Sequence, residues 1–227
     1  MLSRRYAQAV CVAVVLALSF LPTTALADAL IDGEGDDSGW GIALDGTTAI
    51  GFTLIDVDLS AGEVILSLEK DFGPPEDDDG ELEFPVAHVM FNQRLDDANT
   101  VGRIIIRSES IANSSGYDWT NFRWSIFQTG VAQFSISGSA GWNVSPFTTK
   151  TWQDIDSGDP DLAGELLADG GKVLAGTTYT PSGDLVIITD LTGAAASFSL
   201  KQTVVPEPAS AIVLLLGAIA MCRRRKG

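Results

Sequence analysis

Thiol and imidazole side chains are scarce in this sequence. The chain of 227 residues contains 2 cysteines and 1 histidine, and Cys11 and Cys222 each lie in an apolar stretch near one end. The part between these stretches has no thiol, which excludes a disulfide scaffold, a thiolate metal site and a cysteine nucleophile there. A single histidine excludes metal sites built on two or three imidazoles. His88 lies in "FPVAHVMF", away from any "GxSxG" elbow, so we interpret it as a structural or surface residue.

Positive charge is also in short supply. The chain has 14 Lys and Arg against 30 Asp and Glu, a formal net charge of -16, and several of the cations are concentrated at its two ends. An acidic excess of this size repels phosphate backbones, so nucleic acid is not expected as a partner. The same excess favours solubility and could attract divalent cations.

Helical periodicity is nearly absent, and apolar and polar residues alternate instead. In "AQFSISGS", for example, Phe134 and Ile136 face one side and Gln133 and Ser135 the other, as in a half-buried antiparallel strand. This pattern, bounded by Gly, Asn and Asp, predicts nine strands: 40–44, 48–59, 63–69, 81–92, 101–110, 121–128, 132–139, 184–191 and 196–203.

These short strands predict an all-β fold, an antiparallel β-sandwich of about nine or ten strands with a jelly-roll-like arrangement. No repeat of fixed period indicates a propeller or a β-helix. One segment, "DLAGELLADGG" at 161–171, predicts two helical turns that end at Gly170 and Gly171.

The beginning of the chain has the order of features typical of a secretory signal peptide. Arg4 and Arg5 precede an apolar run at 9–21, and Ala25-Leu26-Ala27 provides a site with small residues. We therefore expect residues 1–27 to form a signal helix that is removed between Ala27 and Asp28. The alternative is an uncleaved N-terminal anchor.

The end of the chain has three features in the reverse order. The triplet Pro206-Glu207-Pro208 is followed by an apolar run at 209–222 and then by a basic cluster of Arg223, Arg224, Arg225 and Lys226. As a helix the run would measure about 21 Å, short of the roughly 30 Å hydrocarbon core of a membrane, so it predicts a marginal transmembrane helix. The basic cluster would stay on the cytoplasmic side. The alternative is a C-terminal helix buried against the domain.

This triplet, apolar run and basic cluster resemble the PEP-CTERM sorting signal. The resemblance implies three parts: a signal peptide at 1–27, a β-sandwich domain at 28–203 and a sorting signal at 204–227. It also implies export through the secretory translocon in a Gram-negative-type bacterium, an inner-membrane intermediate, and processing beside the triplet by an exosortase. The segments "GWNVSPFTT" and "LVIITDLTGAAASFSLKQT" are similar to the last strands of PEP-CTERM proteins with a lectin-like jelly-roll domain.

Carboxylates are the one reactive class in surplus. Acidic loops with interspersed Gly provide the oxygen ligands that Ca²⁺ prefers, although none matches the EF-hand spacing. The best candidate ligands are Asp154, Asp156, Asp159 and Asp161, in a loop that Gly158 and Pro160 would hold in a tight turn. The alternative interpretation is that these loops are solvated and keep sheet edges from pairing. No other cofactor is expected.

Aromatic residues allow two interpretations as well. The tryptophans at 40, 119, 124, 142 and 152, with Tyr117, could form a platform for sugar rings, or they could pack in the core, with Phe122 and Trp124 facing inward. The leading hypothesis is an exported surface or extracellular-matrix protein without catalysis of its own, for which extracellular polysaccharide is a candidate partner. The alternatives are a carbohydrate-binding module, with or without Ca²⁺, and a polysaccharide hydrolase or lyase that uses two carboxylates.

Overall fold

The computed structural model describes residues 29–32, 37–46, 49–78, 81–127, 130–153, 158–191 and 196–207. The predicted signal helix, the apolar run at 209–222 and the basic cluster lie outside these residues. Within them, no helix has the length and apolar character needed to cross a membrane.

Alternating residues form strands along most of the described chain, with one 3-10 turn at Asp97–Asn99. In chain order the strands are β1 Ala29–Asp32, β2 Asp37–Gly46, β3 Ala49–Asp58, β4 Glu63–Phe72, β5 Glu76–Asp78, β6 Glu81–Glu83, β7 Ala87–Gln93, β8 Arg103–Asn113, β9 Trp119–Phe127, β10 Ala132–Ser135, β11 Thr149–Gln153, β12 Leu162–Ala163, β13 Glu165–Asp169, β14 Thr178–Tyr179, β15 Ser182–Thr189 and β16 Ser197–Pro206. The all-β prediction is confirmed.

Two sheets pack face to face. Sheet I has the strand order β1-β2-β7-β16-β9-β13-β11, and sheet II has the order β12-β10-β15-β8-β4-β3, with β14 also paired to β8. Strands β5 and β6 form a separate hairpin. The last strand of the chain, β16, therefore lies inside sheet I between β7 and β9 rather than at an edge.

The prediction of purely antiparallel pairing is wrong at one place. Strands β4 and β8 pair in parallel, from Glu63 beside Arg103 to Phe72 beside Asn113. Parallel neighbours need a crossover connection, and here the chain leaves sheet II after β4, forms β7 in sheet I, and returns to form β8. Sheet II is thus a mixed sheet.

The inward faces of both sheets supply an aromatic core. Trp40, Trp119, Trp124 and Trp142 are each exposed by 1% or less. Phe122 lies among these rings, with its centroid 4.6 Å from that of Trp124. Rings at such separations and tilted angles stabilise the core beyond the area that they bury.

The nine predicted strands all have counterparts, but one is divided and the strand predicted at 132–139 ends at Ser135, with a turn from Ile136 onward. The prediction of about nine or ten strands is wrong, since the described residues form sixteen. The strand predicted at 81–92 is split into β6 and β7 around Pro85, which has no backbone N–H for a sheet ladder. The last strand continues to Pro206, past its predicted end at 203, because alternation of buried and outward side chains persists through Val204.

The predicted helix at 161–171 is wrong, since this segment forms β12 and β13. Strand β13 lies between β9 and β11 and buries Leu166 and Ala168, two residues apart, against the core. Pairing with two neighbours outweighs a weak helical pattern. Gly171, two residues after the end of β13, occupies a position where a side chain cannot fit, because an added Cβ would lie 2.2 Å from the Pro146 carbonyl oxygen.

Candidate functional site

The first residues of the sorting triplet are part of the folded domain. Pro206 ends β16 opposite Trp119 of β9, after an irregularity in the register at Val205. The backbone N–H of Glu207 then donates to the carbonyl oxygen of Asp118 at 2.9 Å. Pro208 and the four cations of the tail lie outside the described residues. The described fold thus reaches the middle of the triplet.

An ion pair holds the Glu207 side chain on the domain surface. Lys172 Nζ donates to the two carboxylate oxygens of Glu207 at 2.8 and 3.0 Å, and it lies 3.7 Å from the carboxylate of Asp118. The hydrogen bond to Glu207 raises the pKa of Lys172. Two backbone hydrogen bonds between Val173 and Trp119, of 2.9 and 3.0 Å, fix the segment that carries this lysine.

Pairing of β16 changes along its length. Strand β7 pairs with residues 197–202 of β16, whereas β9 pairs with residues 199–206. Beyond Gln202, the described end of β16 is therefore paired on one side only. Among the described residues, the triplet begins where β16 pairs with β9 alone.

The described half of the proposed calcium loop has the geometry of a turn. Asp161 accepts hydrogen bonds from the backbone N–H and the hydroxyl of Ser137 at 2.8 and 2.7 Å, which lower the pKa of Asp161. Asp159 Oδ1 accepts from the Asp161 N–H at 2.9 Å. Asp154 and Asp156 lie outside the described residues. In the part of the chain that is described, no group of three or more His, Cys, Asp or Glu side chains could hold a metal ion.

The tryptophans and the histidine are buried or half-buried in the fold. Burial of Trp40, Trp119, Trp124 and Trp142 confirms the interpretation as core packing, so these rings are not available to stack on a sugar. Trp152 is half-buried, with its ring 5.8 Å from that of Phe134. His88 is half-buried on β7, with Nδ1 3.4 Å from the Ser199 hydroxyl.

A groove of about 680 Å³ lies on the surface between the 3-10 turn and the turn before β4. It is lined by Asp37, Leu59, Gly62, Leu95, Asp96, Ala98, Asn99, Thr100 and Val101. Its lining includes two carboxylates and no tryptophan. The groove therefore lacks the aromatic surface that the sugar-binding hypothesis invoked.

The core contains a polar network that sequence reasoning missed. It consists of Lys70, Glu109, Trp124 and Gln202, and we call it the core polar network. Glu109 Oε1 accepts from Lys70 Nζ at 2.6 Å and from Gln202 Nε2 at 2.7 Å, while Glu109 Oε2 accepts from Trp124 Nε1 at 2.9 Å. The Lys70 and Glu109 side chains have 0% exposure.

Burial shifts the pKa of Lys70 in this network and of Tyr179 beside it. Burial lowers the pKa of Lys70, and the Glu109 carboxylate opposes that shift. Burial, with a smaller contribution from Glu109, raises the pKa of Tyr179, whose hydroxyl donates to the Val144 carbonyl oxygen at 3.3 Å. Both shifts disfavour the charged form of the group, as expected in a region of low dielectric constant.

Part of this network was visible in the sequence. In "LSLEKDF", Lys70 occupies an inward position of the alternation, two residues after Leu68 and two before Phe72. Gln202 occupies the same kind of position between Leu200 and Val204. Glu109 could not be recognised as an inward residue, because the register of β8 is irregular after Ile106. Side chains at even-numbered positions face the core before this point, and side chains at odd-numbered positions face it afterwards.

Comparisons with known proteins identify no family for this chain. No family model and no curated protein matches this chain. One solved structure, the catalytic domain of a GH87 alpha-1,3-glucanase in complex with tetrasaccharides, aligns at 13% identity with a TM-score of 0.13. That alignment covers 78% of this chain and 31% of the glucanase domain, and at such a score it carries no argument about fold or function.

Proposed function

We propose that this chain is an exported surface or extracellular-matrix protein of the PEP-CTERM type, with no catalytic activity toward other molecules. In this proposal the secretory translocon exports it, residues 1–27 are removed between Ala27 and Asp28, and an exosortase recognises Pro206, Glu207 and Pro208. The apolar run at 209–222 is a temporary transmembrane helix, and Arg223, Arg224, Arg225 and Lys226 keep its end in the cytoplasm.

The observation that carries this proposal is how the last described strand leads into the triplet. Strand β16 leads from the core into Pro206, and Glu207 makes the last described backbone hydrogen bond, to Asp118. The apolar run begins at Ala209, two residues later. Cleavage after the triplet would leave every described strand, β1 to β16, in the chain.

The proposal also covers the relationship of the fold to lectin-like jelly rolls and the cellular location of the protein. The two packed sheets support a lectin-like jelly-roll relationship, which would suit contact with extracellular polysaccharide. The protein would pass through an inner-membrane intermediate and then reach the cell surface or the medium of a Gram-negative-type bacterium.

The experiment follows tail removal in a host that encodes an exosortase. Intact mass is measured for the wild type, for Glu207→Gln and for a variant lacking residues 223–226. We expect the wild type to lose its tail and both variants to accumulate as membrane-bound precursor. Retention of the tail on wild-type protein recovered outside the cell would refute the proposal.

A matched variant separates recognition of Glu207 from its contact with the domain. Lys172→Gln removes the same ion pair but leaves the triplet intact, so we expect its tail to be removed as in the wild type. If Lys172→Gln accumulated as precursor to the same extent as Glu207→Gln, the ion pair and not the triplet would determine processing.

A further inference from the structure

One carboxylate oxygen in the core polar network contacts two nitrogen atoms from different strands. Glu109 Oε1 lies 2.6 Å from Lys70 Nζ and 2.7 Å from Gln202 Nε2. Lys70 and Glu109 are on the neighbouring strands β4 and β8 of sheet II, whereas Gln202 is on β16 of sheet I. An amine, a carboxamide and a carboxylate thus meet between the two sheets.

Stability alone does not account for this group. Lys70, Glu109 and Gln202 are exposed by 4%, 2% and 0% within a core that is otherwise mainly apolar. Removal of an ion pair from water costs more than apolar residues of similar volume would cost at the same positions. In addition, Gln202 Oε1 is buried without a hydrogen-bond partner among the described residues. A buried carboxamide with an unused carbonyl oxygen is costly unless it has another role.

We infer that Lys70 and Gln202 join in an intramolecular isopeptide bond, with Glu109 as the proton carrier. The amine nitrogen of Lys70 would attack Cδ of Gln202, and the carboxamide nitrogen would leave as ammonia. One C–N bond forms and one breaks, and no oxidant or reductant is required. The product is an amide between the side chains of β4 and β16.

The shared oxygen suits the proton transfers that this exchange needs. Glu109 first takes a proton from the Lys70 ammonium, which frees the nitrogen lone pair for attack. The resulting carboxylic acid gives that proton to the carboxamide nitrogen of Gln202 once the amine has attacked Cδ. The carboxylate then takes the second proton from the attacking nitrogen, the oxyanion re-forms the carbonyl as the bond to the carboxamide nitrogen breaks, ammonia leaves, and Glu109 ends as the carboxylic acid. Oε1 already contacts both nitrogens, so neither transfer requires a second base.

The surroundings favour the reactive forms. Burial lowers the pKa of Lys70, which favours the neutral amine over the ammonium ion. Trp124 Nε1 donates to the other carboxylate oxygen at 2.9 Å and so fixes Oε1 between the amine and the carboxamide. Full burial of all three side chains keeps water from competing with the amine for Cδ.

The bond would act as a covalent tie in a domain without thiols. Cys11 and Cys222 both lie outside the β-sandwich domain, so a disulfide cannot join the sheets. The proposed bond joins β4 of sheet II to β16 of sheet I, five positions before Glu207. It does not depend on the proposed sorting function, since it concerns the folded domain with or without its tail.

The test is high-resolution mass spectrometry of the folded full chain, followed by peptide mapping. We expect an intact mass lower by one ammonia than its sequence requires and a branched peptide that joins Lys70 to Gln202. Peptide mapping excludes ammonia loss at an asparagine, which produces no branch. An unbranched map with free Lys70 and Gln202 would overturn the inference, as would loss of water with a branch between Lys70 and Glu109.

Variants supply the controls. Lys70→Met, Glu109→Gln and Gln202→Met should each show the full sequence mass and no branch. Lys201→Met should keep the branch, because Lys201 is the neighbour of Gln202 on β16 and points away from the core, over the Phe127 ring. A branch that persists in Glu109→Gln would contradict the role of Glu109, and the wild-type map decides the bond itself even if a variant does not fold.

Discussion

Two lysine–glutamate pairs in this molecule have similar geometry and opposite surroundings. Lys70 and Glu109 are 2.6 Å apart with 0% of either side chain exposed. Lys172 and Glu207 are 2.8 Å apart with side-chain exposures of 42% and 34%. The first pair joins strands inside the core, and the second holds the end of β16 on the surface. Distance alone therefore does not indicate what an ion pair contributes.

Exposure to solvent explains why the two pairs contribute differently to stability. Before the proposed bond to Gln202 forms, the buried pair loses the hydration of both charges, so its net contribution is small, although removal of one partner leaves an uncompensated charge in the core. The exposed pair gains little attraction in water, and both of its partners can be solvated when it breaks. The buried pair suits a fixed chemical group, whereas the exposed pair is a local surface contact at the end of the described chain.

The largest effect is expected from removal of one member of the buried pair. Lys70→Met leaves the Glu109 carboxylate in the core without its partner nitrogen and also removes the proposed bond to Gln202, so we expect a loss of at least about 3–5 kcal/mol in the free energy of unfolding. Chemical denaturation of the purified domain measures it. The triple variant Lys70→Met, Glu109→Leu and Gln202→Met should recover the part of that loss that comes from the unpaired carboxylate, but not the part that comes from the missing bond. A loss below about 1 kcal/mol in the single variant would show that water reaches the pair.

A smaller effect is expected at the tryptophan of the core polar network. Trp124→Phe removes the N–H that donates to the Glu109 carboxylate, whereas Trp40→Phe removes one that donates to the Val101 carbonyl oxygen. Hydrogen bonds to charged groups are the stronger, so Trp124→Phe should lose about 1 kcal/mol more than Trp40→Phe. Both rings are fully buried, which matches the two variants for volume. Equal losses would show that the hydrogen bond from Trp124 to the Glu109 carboxylate is no stronger than the one from Trp40 to a carbonyl oxygen.

The half-buried Asp161 provides a comparison at different pH values. Its pKa lies below 3.8 in the folded chain because the Ser137 hydroxyl and N–H donate to it. Its contribution to stability is therefore present above pH 3.8 and is lost as the pH falls below that value. Stabilities of the wild type and Asp161→Asn, measured against pH, should converge at the acidic end. A constant difference across that range would contradict the prediction.

The smallest effect is expected at the surface pair. Lys172→Gln should leave the free energy of unfolding unchanged within error, because both partners are solvated. The same variant should speed hydrogen exchange at the Glu207 amide, which donates to Asp118. An unchanged exchange rate at the Glu207 amide, or a clear loss in the free energy of unfolding, would show that the ion pair does not stabilise this contact locally.

Local patterns explain which features could be predicted from the sequence. Alternation identified β4, β8 and β16, because a two-residue period is set by each strand alone. It failed at 161–171, where pairing of β13 with β9 and β11 decides the structure. The parallel pairing of β4 with β8 depends on a crossover through sheet I, which no local window contains.

The core polar network shows the same limit. Lys70 and Gln202 could be recognised as inward positions, but the irregular register of β8 after Ile106 concealed Glu109. These three side chains come into contact because two sheets pack face to face, and no pattern within one strand specifies that packing. The sorting triplet, in contrast, is contiguous in sequence, which is why it could be proposed without a structure.

The most direct test of the sorting account is the intact mass of the protein recovered from outside an exosortase-encoding host. The account predicts a chain that begins at Asp28 and has lost residues 209–227. A recovered chain that still carries the apolar run and the basic cluster would contradict it.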